Sequence, residues 1–148
     1  IVRQSLTRDE FADEVIGLAD IHARVPEADF VVLACPATEE TRGVVDAAFL
    51  SAMKPEALLI NVARGSLIDE TALLASLDAG IPAKAVLDVF ETEPLPKDSE
   101  LWRHPRVIVT AHTSNAGSGT RGRGDELFLS NLERFMAGEE PSDLVYLR

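Results

Sequence analysis

Residues 57–80 read ALLINVARGSLIDETALLASLDAG, and the fold turns on how the middle of that stretch is understood. Ala57 to Asn61 is an apolar run of strand length, and Asp69 to Ala79 has the spacing of an amphipathic helix that stops at Gly80. Between them, at the carboxyl end of the strand, stands Arg64. Doubly wound sheets bind ligands in the crevice outside the carboxyl ends of their strands, and the planar fork of an arginine there matches a carboxylate. The alternative is a surface arginine capping a loop. Partners elsewhere in the chain decide between the two.

Working outward, apolar strands alternate with helical patterns along the whole chain, which predicts an α/β fold: a doubly wound parallel sheet with helices on both faces. Ile1-Val2-Arg3 reads as the end of a strand, and further strands are expected at Glu14–Gly17 and over Phe30–Ala34, Ala57–Asn61, Ala83–Val89 and Val107–Thr110. Helices fit Ile21–Val25, Asp46–Ala52, Asp69–Ala79 and Asp125–Ala137, with Gly80 and Gly138 just past two of their ends. Glycine concentrates between Asn115 and Gly124, where a flexible loop is expected.

With 148 residues, 46% of them hydrophobic and 26% charged, the chain suits one globular domain. A net charge of -11 argues against a nucleic-acid or anionic-membrane binder, which needs clustered Lys and Arg. The single cysteine, Cys35, excludes an intrachain disulfide framework and suits a reducing cytoplasm. Three histidines without cysteine neighbours give no zinc spacing, so no metal is expected. No apolar run approaches a membrane span, and no signal-peptide pattern is present. Ile1-Val2 opens in mid-strand character without an initiator methionine, so the chain reads as N-terminally incomplete, part of a longer protein.

Arg64 has companions at other strand ends. Asp88 and Glu93 lie at and beyond the next strand in LDVFETEPLP, and His112 follows the last one in VIVTAHTS. Histidine with a nearby carboxylate is the pairing that general acid–base chemistry needs, because the carboxylate fixes the imidazole tautomer and stabilises its charged form. An arginine beside the pair holds a substrate carboxylate. Each residue also has a plainer reading: His112 caps a strand, Glu93 is solvated ahead of Pro94, and Asp88 holds its own loop.

Four ordered blocks, VVLACPATEETRGVVD, LLINVARGSLIDETALLASLDAG, AVLDVFETEPLP and HPRVIVTAH, carry a resemblance to the D-isomer-specific 2-hydroxyacid dehydrogenases, glyoxylate and hydroxypyruvate reductases among them. The resemblance covers nearly the whole chain. It implies a Rossmann-like NAD(P)-binding domain and hydride transfer between a nicotinamide cofactor and a small D-2-hydroxy acid or 2-keto acid. Arg64 then binds the substrate carboxylate, Glu93 pairs with the catalytic histidine, and His112 is the acid/base. Cofactor contacts fall at Cys35, Pro36, Val62, Ala63, Asp88 and Ser114, with Asp88 on the nicotinamide carboxamide. No role follows for His22 or His104.

The resemblance also implies boundaries and partners. Residues 1–118 correspond to a partial dinucleotide-binding domain lacking its glycine-rich first βαβ unit, and 119–148 to a C-terminal helix and tail that return to a substrate domain. A homodimer is expected when the protein is complete. The glycine fingerprint is absent from the chain, and Ala111 stands where the family usually carries proline before the histidine. Glu93 favours hydroxyacid chemistry over formate dehydrogenase, which has glutamine there. The competing readings are a non-catalytic, dinucleotide-sensing corepressor-like module of the same fold and an inactive fragment.

Cofactor choice rests on IVRQS, Ile1 to Ser5. NAD-specific dinucleotide folds usually carry Asp or Glu at the end of the second strand, where it accepts hydrogen bonds from the ribose hydroxyls. The register from the Cys35-Pro36 loop puts that strand end at Ile1–Ser5, where no carboxylate stands. Arg3 offers a charged fork, Ser5 and Thr7 offer hydroxyls, and Arg8 lies near. Such a set suits a 2′-phosphate and predicts NADP over NAD. Solvated surface charges are the alternative for the two arginines.

Overall fold

The computed structural model describes residues 1–3, 10–114, 116–117 and 119–142. The chain divides into two compact units, Ile1–Thr113 and Ser114–Arg148.

The first unit is built on a four-stranded parallel sheet in the order β1-β2-β3-β4, formed by Phe30–Leu33, Leu58–Asn61, Lys84–Leu87 and Val107–Val109. Parallel neighbours need a crossover between them. Helix α2, Ala47–Ala52, lies between β1 and β2, and α3, Glu70–Asp78, lies between β2 and β3. Both helices start on aspartates: Asp46 accepts from the Phe49 N–H at 2.8 Å and Asp69 from the Ala72 N–H at 3.0 Å. Helix α3 ends before Gly80, whose φ of 93° is the left-handed conformation that stops a helix. A shorter helix, α1, spans Ile21–Arg24.

Register explains which side chains form the core. Val31, Leu59, Ala85 and Val107 align across the four strands, as do Leu33, Asn61, Leu87 and Val109 two residues on. Phe49 and Leu50 of α2 and Leu73 and Leu77 of α3 are fully buried in one cluster with Leu59, Ala85 and Leu87. The intervening row, Val32, Ile60, Val86 and Ile108, is equally apolar, although Val32 and Ile108 are exposed. Apolar residues on both faces are the composition of buried parallel strands.

The expected strands at Ile1–Arg3 and Glu14–Gly17 reduce to one isolated parallel bridge, Val2 to Ile16. It is supported by the Ile16 N–H on the Ile1 carbonyl and the Arg3 N–H on the Ile16 carbonyl.

In the second unit, helix α4 spans Thr120–Met136 and so begins well before the expected Asp125. The correction has a physical cause. Gly122 and Gly124 each disfavour a helix by about 1 kcal/mol relative to alanine, which made that stretch read as loop. Its N-cap, Gly119, has a φ of 91°. Among the described residues no helix is long and apolar enough to cross a membrane.

Candidate active site

The carboxyl ends of β2, β3 and β4 carry the polar residues. β2 ends on Asn61, fully buried between Leu33 and Leu87 in its row. A buried amide must be satisfied. Its Oδ1 accepts from the Ala63 N–H at 3.0 Å and its Nδ2 donates to the Arg64 carbonyl at 2.8 Å. This closes a tight turn that brings Arg64 out of the core, its side chain exposed and donating to the Ala63 carbonyl at 2.6 Å.

The next residue, Gly65, lies directly against the chain beyond β3. A Cβ built there overlaps the Phe90 carbonyl group and the Glu91 nitrogen. Backbone contact of that closeness is available only to glycine. It fixes the Arg64 loop to the turn that holds Glu93.

Asp88, immediately after β3, is 2% exposed. Its N–H donates to the Asn61 carbonyl, and its own carbonyl accepts from the His112 N–H at 2.9 Å. The carboxylate accepts from the Thr113 N–H at 2.9 Å and from the Thr110 hydroxyl. These bonds hold the loop on both sides of His112, whose φ of 53° is uncommon outside glycine and costs on the order of 1 kcal/mol.

His112 Nδ1 lies 2.7 Å from Glu93 Oε2, while Glu93 Oε1 accepts from the Phe90 N–H at 3.0 Å. The Glu93 carboxyl is held below the usual carboxylate range, first by the hydrogen bond with His112 and next by the Phe90 N–H. The charge of Arg64 adds to that lowering, so all three groups belong to one electrostatic neighbourhood.

A model of the family "D-isomer specific 2-hydroxyacid dehydrogenase, NAD binding domain" matches residues 1–114. The chain belongs to this family. It is 38% identical over 142 residues to a glyoxylate reductase of Korarchaeum cryptofilum, covering 95% of this chain and 43% of that protein. To a glyoxylate/hydroxypyruvate reductase B of Citrobacter koseri it is 40% identical, covering 85% and 39%. The chain thus spans less than half the length of these curated relatives. Among solved structures it resembles a D-isomer specific 2-hydroxyacid dehydrogenase of Xanthobacter autotrophicus in complex with NADPH and MES, with a TM-score of 0.87 and 34% identity over 98% of this chain and 59% of that one. An NADPH-dependent glyoxylate/hydroxypyruvate reductase of Sinorhizobium meliloti, in complex with NADP and sulfate, gives 0.86 and 31% over 97% and 46%.

The Rossmann-like fold expected of the family is the fold observed. The remaining expected residues of this dehydrogenase-family chain are spread along it. Half-buried Cys35 packs against the core, and the Pro36 carbonyl accepts from the Thr41 hydroxyl at 2.9 Å. Val62 is exposed at the β2 edge, whereas Ala63 is buried. Half-buried Arg3 follows the Val2 bridge. Ser5, with Thr7 and Arg8, lies outside the described residues. Ser114 opens the second unit.

Sequence reading assigned nothing to Asn61, Gly65 or Thr110. Asn61 carried a signal, a polar residue closing a run otherwise fully apolar. Gly65 and Thr110 carried none that spacing could reveal.

The lowered Glu93 carboxyl makes a pH prediction. A carboxyl with a lower pKa in the folded than in the unfolded state stabilises fully above the unfolded value, about 4.3, and loses that contribution as pH falls through the folded one. The stability advantage of wild type over Glu93→Gln is therefore expected to hold near neutral pH and to shrink as pH falls from about 5 through the lowered value of the folded carboxyl. Thermal melts across that range check it, and a constant gap would mean that ionised Glu93 adds nothing.

Proposed function

We propose that the complete protein is a nicotinamide-dependent oxidoreductase interconverting a small 2-keto acid, of the glyoxylate or hydroxypyruvate class, and its D-2-hydroxy acid. The contact that carries the reading is His112 Nδ1 to Glu93 Oε2 at 2.7 Å, with the Arg64 charge beside it. Family membership and the names of the relatives support the same chemistry.

The residues at the strand ends fit a nicotinamide dinucleotide, which supplies the hydride when bound. Exposed Val62 and half-buried Cys35 offer apolar surface at adjacent strand ends, where Pro36 and Ala63 also lie. Asp88, immediately after β3, stands in the same row of strand ends. In this reading residues 1–118 form the dinucleotide-binding part and 119–148 lead toward a substrate domain.

Arg64 would hold the substrate carboxylate through paired hydrogen bonds. With Nδ1 engaged by Glu93, Nε2 of His112 gives a proton to the C2 oxygen in reduction and takes it back in oxidation. Glu93 keeps the imidazole in that tautomer and stabilises the imidazolium. A steady-state assay of glyoxylate-dependent NADPH oxidation tests the reading. Tight nucleotide binding without turnover of any small 2-keto acid would overturn it in favour of a nucleotide-sensing module.

The absence of a carboxylate in IVRQS, with Arg3 beside the Val2 bridge, supports preference for NADPH. A charge-assisted bond contributes about 1.5–3 kcal/mol, so Arg3→Asp is expected to cost roughly 10- to 100-fold in kcat/KM for NADPH and to raise relative use of NADH. The comparison is made with one keto acid at fixed salt. Wild type using NADH at least as efficiently would remove the cofactor assignment and leave the acid–base one untouched.

A further inference from the structure

Glu70, the first residue of α3, makes a contact that its helix does not need. The N-cap function belongs to Asp69. Half-buried Glu70 instead accepts the backbone N–H of Glu91, 21 residues further on, at 2.8 Å through Oε1. That amide lies beyond the end of β3, where among the described residues no neighbouring strand pairs with it.

The bond is one of three constraints on the same short turn. Gly65 packs against the Phe90–Glu91 peptide from the β2 side. The preceding amide, Phe90 N–H, donates to Glu93 Oε1, and the other oxygen of Glu93 meets His112. Two consecutive amides of the turn thus end on two carboxylates, one belonging to the acid–base pair and the other to α3. Arg42 also reaches the Glu91 side chain at 3.5 Å, but both groups are more than half exposed and the pair contributes little.

We propose that Glu70 is a positioning residue for the reaction: by holding the Glu91 N–H it seats the turn from which Glu93 orients His112. The inference rests on the reading of His112 and Glu93 as the acid–base pair. Glu70 acts through the Glu91 N–H, and its effect is on how well Glu93 is aimed. Misplacement by about 1 Å costs up to roughly 100-fold in rate, so a partial loosening of this turn is expected to cost about 10-fold.

Two substitutions in the complete protein separate reach from charge. Glu70→Asp keeps the charge and suits a helix start but withdraws the acceptor by one methylene. Glu70→Gln removes the charge and keeps an acceptor oxygen at the same reach. Glu70→Asp is expected to lower kcat for glyoxylate reduction about 10-fold with KM within about 2-fold. The acid limb of its kcat profile should move to higher pH as Glu93 loses its fixed partners. Glu70→Gln should return kcat to within about 2-fold of wild type. Wild-type kcat and pH profile in Glu70→Asp, or a Glu70→Gln as slow as Glu70→Asp, would overturn the proposal. His112→Ala in the same assay distinguishes the two levels. If it is inactive while Glu70→Asp is unimpaired, only the positioning role falls; if it turns over like wild type, the acid–base reading falls and takes this proposal with it.

Discussion

Replacing His112 by alanine in the complete protein is expected to lower kcat about 100- to 10,000-fold, the usual contribution of a positioned acid–base group, with nucleotide affinity changed only a few-fold. The separation of the two effects follows from where the residue sits. Its imidazole meets Glu93, whereas the loop around it is held by Asp88 through the backbone N–H groups of residues 112 and 113. Removing the ring leaves those bonds in place. The left-handed φ of 53° is a complication, since alanine accepts it less readily than asparagine. His112→Asn therefore serves as a second variant, keeping the backbone at ease while lacking an imidazole. Both are expected to be slow. Equal losses of turnover and nucleotide binding in both would mark His112 as a structural residue.

The strand ends were legible because burial and chemistry conflict there. Leu58–Ile60, Ala85–Leu87 and Val107–Val109 are apolar without interruption, so Arg64, Asp88 and His112 just after these three strands stand out as groups a core does not need. Their order in the chain, with α3 between β2 and β3, makes adjacent parallel strands the simplest arrangement. The contacts that aim them were not legible. Glu70 reads as an ordinary acidic residue in the first turn of a helix, favourable to its dipole, and nothing local says that it serves an amide 21 residues away. Thr110 reads as the last residue of a β-branched strand, and its bond to Asp88 exists only once β3 and β4 are paired. The early start of α4 was hidden for the opposite reason, a local preference of glycine that the observed helix overrides.

Gly65→Ala is expected to destabilise the protein by about 3 kcal/mol or more, above the usual range for an exposed-loop substitution. Conformation is not the cause, because Gly65 is not among the glycines with positive φ and its short helical turn accepts alanine. The cause is contact: the new Cβ would overlap the carbon and oxygen of the Phe90 carbonyl and the Glu91 nitrogen. All three are backbone atoms, so no change of rotamer relieves the overlap. The β2 and β3 loops must separate, carrying Arg64 away from Glu93. Gly43 provides the contrast, with a φ of 62° and open space around its Cβ position. Gly43→Ala is expected to cost only about 1–2 kcal/mol, for the left-handed conformation alone, and to leave kcat unchanged. Urea unfolding of both variants, with kcat of the folded fraction, checks the pair. A Gly65→Ala protein within about 1 kcal/mol of wild type and fully active would mean that the two loops are free to part without consequence, and that the coupling of Arg64 to the His112–Glu93 pair does not depend on this contact.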